Sequence, residues 1–236
     1  MRNLGAIYRR EVKSYFASPL AYVLTAVYLV LSGYFFTTIL FNSRSAELSG
    51  TLGSMGMVAL FLAPLLTMRA LAEERRNGTD ELLLTAPVSL WAIVGGKYLA
   101  LVTVFLAMVV LTGTYPVVLA SLGSPDWGPV ASGYLGLLLL GGAFLAVGLF
   151  ASSLTATPML AAVVGFALLL GLWIVGWAAD SLPGAWGEAL ASLSLVRPYE
   201  NFRQGIIDTR HLVFYITFIT GFVFLTVRAL DKRRWA

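Results

Sequence analysis

The sequence predicts an all-α polytopic membrane protein, and three observations carry that prediction. The mean hydropathy is +0.83, with 58% hydrophobic and 12% charged residues over 236 positions, whereas soluble domains are about 45 to 50% apolar. Six segments reach the roughly 20 apolar residues that a helix rising ~1.5 Å per residue needs to cross ~30 Å of hydrocarbon. Their apolar runs, such as Leu20 to Leu31 and Leu160 to Leu170, are uninterrupted. The strands of a membrane barrel would alternate polar and apolar residues instead.

The first element, Arg2 to Phe16, sets Leu4, Ile7, Tyr8, Val12 and Tyr15 on one helical face and Arg2, Arg9, Arg10 and Lys13 on the other. That pattern predicts an amphipathic helix in the interface plane, within residues 1–19. Ser18-Pro19 separates it from the first span, because the residue before proline is pushed out of helical geometry. The first hydrophobic run exceeds the ~7 to 15 residues of a signal-peptide core and lacks a small-residue cleavage site, so it reads as a retained helix.

The predicted spans run Leu20 to Phe41, Leu52 to Leu71, Ile93 to Leu122, Val130 to Leu154, Pro158 to Ala179 and Leu212 to Leu230. The longest loop, Asp180 to His211, falls short of the ~50 residues of an independent domain, so residues 1–236 form one membrane domain. Arg2, Arg9, Arg10, Lys13, Arg69, Arg75, Arg76, Lys97, Arg228, Lys232, Arg233 and Arg234 fall on one side, against Arg44, Arg197, Arg203 and Arg210 on the other. By the positive-inside rule, both termini and the loop between spans two and three face the cytoplasm. The net charge of +4 is accounted for by this topology and calls for no nucleic-acid partner.

That loop concentrates the charge. Arg69 to Pro87 holds three Arg, three Glu and one Asp in an otherwise apolar chain. The second span is predicted to continue past the membrane as Met68 to Arg76 and to stop at Asn77-Gly78, because glycine tolerates the left-handed conformation. Thr79 is placed to cap a new short helix with Asp80 and Glu81 in its first turn, followed by the apolar knob Leu82, Leu83 and Leu84. Pro87 ends it, and Ser89 is placed to cap the third span. Two readings stand for residues 72–89: a helix offered to a groove in another protein, or a solvated turn whose leucines dip into headgroups.

The run Glu73-Glu-Arg-Arg-Asn-Gly-Thr79, with Glu81-Leu-Leu83, Pro87-Val-Ser89 and Gly96-Lys97, resembles the cytoplasmic loop of ABC-2 type transporter permeases. The six-span layout, the amphipathic N-terminal helix and the stretch Arg197 to Arg210, which contains Gly205-Ile-Ile-Asp-Thr, resemble the gliding-motility-associated branch. The resemblance implies the permease subunit of an ATP-driven exporter in a bacterial or archaeal cytoplasmic membrane. It implies pairing with a second permease subunit and separate ATP-binding subunits that carry the ATP and magnesium. By position, Glu73, Glu74, Arg75, Gly78, Thr79, Glu81, Leu82 and Leu83 would form the docking surface of a coupling helix, while Asp80 departs from the apolar or small residue of the family pattern. The external amphipathic loop of residues 180–211 would cover the exit, with Trp186, Tyr199, Phe202 and Gly205 as gate residues. The alternative is a non-transporting membrane anchor that recruits a cytoplasmic partner.

The chain itself offers no chemistry. A phosphate loop needs Gly-x-x-x-x-Gly-Lys-Ser/Thr, and the nearest imitation, around Gly95-Gly-Lys-Tyr98, has Trp91 for the first glycine and Tyr98 for the hydroxyl residue. Cysteine is absent, and His211 is the lone histidine, so no thiol nucleophile or Cys/His metal set exists. His211 is expected at the outer interface. Ser152 and Ser153, read as a turn between spans, lack a neighbouring base. Essentially no ionisable group interrupts a span, which argues against proton- or ion-coupled transport. Pro64 and Pro116 are potential kinks. The glycines of span four (Gly133, Gly136, Gly141, Gly142, Gly148) and span five (Gly165, Gly171, Gly176) predict close helix packing within the subunit, and Trp173 and Trp177 predict an aromatic belt.

Overall fold

The computed structural model describes residues 2–43, 47–79, 88–181, 192 and 194–234. Among them the elements are helical throughout: α1 (Arg2–Ala17), α2 (Pro19–Ser43), α3 (Ser49–Thr67), α4 (Ala72–Arg76), α5 (Leu90–Leu111), α6 (Thr114–Leu122), α7 (Trp127–Leu154), α8 (Pro158–Ser181), α9 (Val196–Arg203) and α10 (Thr209–Arg234). Six stretches are long and apolar enough to cross a membrane: Pro19–Asn42, Ser49–Arg76, Leu90–Leu122, Trp127–Leu154, Pro158–Gly176 and Thr209–Lys232. These coincide with the six predicted spans.

The bundle is organised around α7. Its most apolar window is 78% buried, against 22% for those of α2 and α8 and 17% for that of α10, so α7 is the hub and the other three are exposed on the outside of the bundle along most of their length. It touches α3, α5, α8, α9 and α10. The glycines of span four explain that crowding. A Cβ on Gly141 would overlap the Phe105 ring of α5, and one on Gly148 would overlap Thr67 of α3. The glycines of span four serve packing inside the subunit, as expected, whereas Gly171 of span five has nothing within 4 Å of the place its Cβ would take.

Two predicted spans are broken. The third, at 33 residues, is far longer than ~20 residues require, and it divides at Thr112-Gly113 into α5 and α6. Tyr134 of α7 secures the break by donating its hydroxyl to the Thr112 carbonyl at 2.8 Å. Tyr115 of α6 pairs with the Ser32 hydroxyl at 2.8 Å and stacks on Phe36 of α2 at 4.8 Å. The second span does not run unbroken to Arg76. Residues 68–71 form turns between α3 and α4: the Ala70 amide reaches back to Thr67 O at 3.0 Å, and the Leu71 and Ala72 amides turn to the Ser152 hydroxyl of α7.

Other expectations shift as well. The apolar side of α1 is packed on α5: Leu4 and Ile7 lie over Gly95 and Gly96, and the Tyr8 hydroxyl meets that of Thr103 at 3.0 Å. Trp173 sits 6.4 Å from the Phe144 ring, a protein contact where a headgroup belt was expected. Ser152 and Ser153 belong to the last turn of α7 and are fully buried. The His211 ring lies 6.3 Å from Phe202, and its Nδ1 is buried without a hydrogen-bond partner.

Candidate functional site

The charged end of the bundle is built from α4. Its sequence, Ala-Glu-Glu-Arg-Arg, places Glu73 and Glu74 in the first turn and Arg75 and Arg76 in the last, matching the positive and negative ends of the helix dipole. Leu71 is its N-cap but supplies no side-chain acceptor. The acceptor comes from another helix: the Ser152 hydroxyl of α7 takes the Leu71 and Ala72 amides at 3.1 and 3.0 Å and donates to the Met68 carbonyl at 3.2 Å.

At the other end, Gly78 adopts φ +67°. Its amide reaches Arg75 O at 3.2 Å and the Thr79 amide reaches Glu74 O at 3.0 Å, the paired bonds of a Schellman stop. The predicted termination at Asn77-Gly78 is therefore present in full. The Thr79 hydroxyl turns back and donates to Glu74 O at 3.2 Å. The short helix that Thr79 was expected to cap lies outside the described residues.

Glu74 and Lys97 carry the main electrostatic feature. Lys97, in the second turn of α5, donates from Nζ to Glu11 Oε1 of α1 at 2.9 Å and to Glu74 Oε1 of α4 at 2.7 Å. Its side chain is 3% exposed, against 15% and 20% for the two carboxylates. Charge-assisted bonds of this length are about twice as strong as neutral ones, and a largely buried cation with two acceptors is satisfied where a lone one would be expensive. Gly96 makes the triad accessible to α1, since a Cβ there would meet Ile7 Cγ2 at 2.9 Å and the Leu4 carbonyl at 3.3 Å. The Gly95-Gly-Lys97 sequence that imitates a phosphate loop is thus a helix-packing site followed by an ion-pair lysine.

Beside the triad a cavity of about 390 Å³ opens between α1 and α4, lined by Arg10, Tyr15, Arg69, Glu73 and Thr79 among others. Burial, and after it the negative charge of Glu11, hold the Tyr15 phenol well above its ordinary pKa, so it remains a neutral wall of this polar space.

Of the predicted docking residues, Glu73 and Arg75 are half-buried, Gly78 and Thr79 are exposed, and Glu74 is committed inward to Lys97. Glu81, Leu82 and Leu83 lie outside the described residues. Lys97, which sequence reasoning placed among the solvent-facing topology charges, is instead a buried partner. Glu11 was passed over although it is the only acid before Glu47 in a strongly basic N-terminal stretch. Ser152 gave no comparable signal, because its partners are amides of a distant turn.

The opposite end gathers the predicted gate residues, apart from Trp186, which lies outside the described residues. Tyr199 and Phe202 of α9 are fully buried. The Tyr199 hydroxyl donates to Leu52 O at 2.5 Å, and Phe202 O accepts from Ser132 of α7 at 2.7 Å. Gly136 gives Phe202 its seat, and Gly205, at φ +89°, turns the chain against Pro129. Arg203 Nε donates to Ser49 O at 2.8 Å, so α9 is pinned to the first turns of both α3 and α7.

Six apolar spans, an amphipathic N-terminal helix and a capped charged helix between spans two and three form the pattern on which the resemblance rests. A family model described as "ABC-2 family transporter protein" matches residues 18–227. The chain belongs to the ABC-2 transporter family. No curated protein matches it. As an ABC-2 family member it is a membrane subunit of a transporter, and membership implies an ATP-binding partner in a membrane complex. No Gly-x-x-x-x-Gly-Lys-Ser/Thr occurs anywhere in this ABC-2 subunit.

Proposed function

We propose that this ABC-2 subunit is the permease half of an ATP-driven exporter, pairing with a second permease and receiving separate ATP-binding subunits on residues 72–89 at the cytoplasmic face. The observation that carries the reading is the form of α4. It is a separate helix, closed at one end by Ser152 and at the other by the Schellman stop at Gly78, and it is braced against the bundle while Arg76 to Thr79 face outward. A helix of five residues has no stability of its own, so three neighbouring helices that hold it in place favour a segment built to be pushed. The Arg197 to Arg210 stretch supports placement near the gliding-motility-associated branch.

Charge reversal tests the reading. Arg75→Glu with Arg76→Glu leaves the spans untouched and inverts the outward charge of α4. Membrane insertion is expected to persist while co-purification of a co-expressed ATP-binding subunit falls at least about tenfold, the equivalent of ~1.4 kcal/mol. Undiminished co-purification with undiminished ATPase stimulation would remove α4 as the docking element. Retained binding without any ATPase response in the parent complex would favour a membrane anchor.

A further inference from the structure

We infer that Lys97 is the positioning residue that joins α4 to α1 and α5 as one mechanical unit, so that displacement of α4 passes sideways into the N-terminal helix and the third span and not along the second. This rests on reading α4 as the docking segment. Chain connectivity alone would send a thrust on α4 up α3. The structure interrupts that route at residues 68–71, where the Leu71 and Ala72 amides leave the helical ladder for Ser152 of α7. A turn held from the side in this way is a pivot and a poor strut.

The lateral ties are direct. Lys97 is the shared partner of carboxylates from two different helices, at 2.9 and 2.7 Å, in a place too buried for salt to screen well. Removing Glu11 or Glu74 leaves the lysine one acceptor. Removing Lys97 leaves two facing carboxylates that drive α1 and α4 apart. Meanwhile α1 is already fastened to α5 by packing over Gly96 and by the Tyr8–Thr103 hydroxyl pair. Glu74 is thus the ion-pair link, among the described residues, that adds α4 to the α1–α5 unit. The N-terminal helix, which composition alone assigns to the membrane surface, becomes part of the moving body.

The absence of cysteine makes the test direct. Spin labels at Ala17→Cys on α1 and Asn77→Cys at the end of α4 report their separation in the full chain in lipid nanodiscs. Lys97→Met is expected to broaden that distance distribution by about twofold or more, because both ion pairs that tie α4 and α1 to the same lysine are lost, and Lys97→Arg is expected to restore most of the narrow peak.

The triple variant Glu11→Gln, Glu74→Gln, Lys97→Met carries no unpaired buried charge. It is expected to fold and melt like the parent, as neutral replacements of buried ion pairs commonly do, while keeping the broadened distribution. An unchanged width in this triple variant overturns the inference. In the complex, addition of ATP is expected to shift the Ala17–Asn77 distance in the parent and at most about half as far in the triple variant, with co-purification of the ATPase undiminished. Equal shifts in both also overturn it. If no ATPase binds the parent chain, the proposed function fails, and the intrachain measurement still decides the role of Lys97.

Discussion

Replacing Ser152 with alanine removes one oxygen and strands several backbone groups at once. The hydroxyl accepts from the Leu71 and Ala72 amides and donates to Met68 O, and both Ser152 and Ala72 are fully buried. Each buried donor left without a partner costs about 1–3 kcal/mol, and a lost helix N-cap costs typically ~1 kcal/mol. The turn shifts to recover part of this, so a net loss of about 3 kcal/mol is expected. At roughly 2–4 °C per kcal/mol for a chain of this size, the melting temperature should fall by about 6–12 °C.

The neighbouring residue supplies the control. Ser153 is equally buried, but its hydroxyl donates within its own helix, to Phe150 O at 2.6 Å. Ser153→Ala removes a bond that strands no amide, and it should stay within about 1 kcal/mol of the parent. Thermal unfolding followed by near-ultraviolet circular dichroism on the two variants decides the matter. Equal shifts for Ser152→Ala and Ser153→Ala would refute the assignment of Ser152 as the cap of α4.

Two further substitutions probe the ends of the bundle. Gly136→Leu places a side chain where even a Cβ would meet Phe202 Cβ at 2.5 Å; overpacking of about 1–3 kcal/mol is expected, with α9 displaced, read as faster thiol labelling at Gln204→Cys than in the parent background. Gly78→Ala meets nothing within 4 Å but must hold φ +67°, so it should lose about 1 kcal/mol through the left-handed backbone alone, measured as a small drop in melting temperature with normal membrane insertion.

Much of the architecture was legible because a bilayer imposes strict rules. Runs such as Leu160 to Leu170 had to be helical, Ser89 had the residue type and position to cap α5, and its hydroxyl does accept from Ala92 N at 3.2 Å. Asn77-Gly78 announced its stop through the one residue that adopts φ +67° without strain. The breaks at residues 68–71 and at Thr112-Gly113 were not legible, because both lie inside or beside apolar runs and are stabilised by hydroxyls from α7, Ser152 and Tyr134, far away in sequence. The candidate site was readable as a concentration of charge, yet Lys97 was read as solvated, since no local pattern distinguishes a lysine flanking a span from one buried against two acids.

The sequence by itself determined that this chain has six helices long and apolar enough to cross a membrane, that charge gathers between the second and third of them, and that it carries no phosphate loop. These follow from local quantities: hydropathy over about 20 residues, the conformational preference of single residues, and motif spacing. The tertiary structure alone decided which charges point inward. Glu11, Glu74 and Lys97 are brought together by the close seat of α1 on Gly96 and by the pivot at Ser152. Whether a lysine is solvated or buried depends on the groups that three separate helices place around it, and their convergence is a property of packing that no stretch of sequence contains.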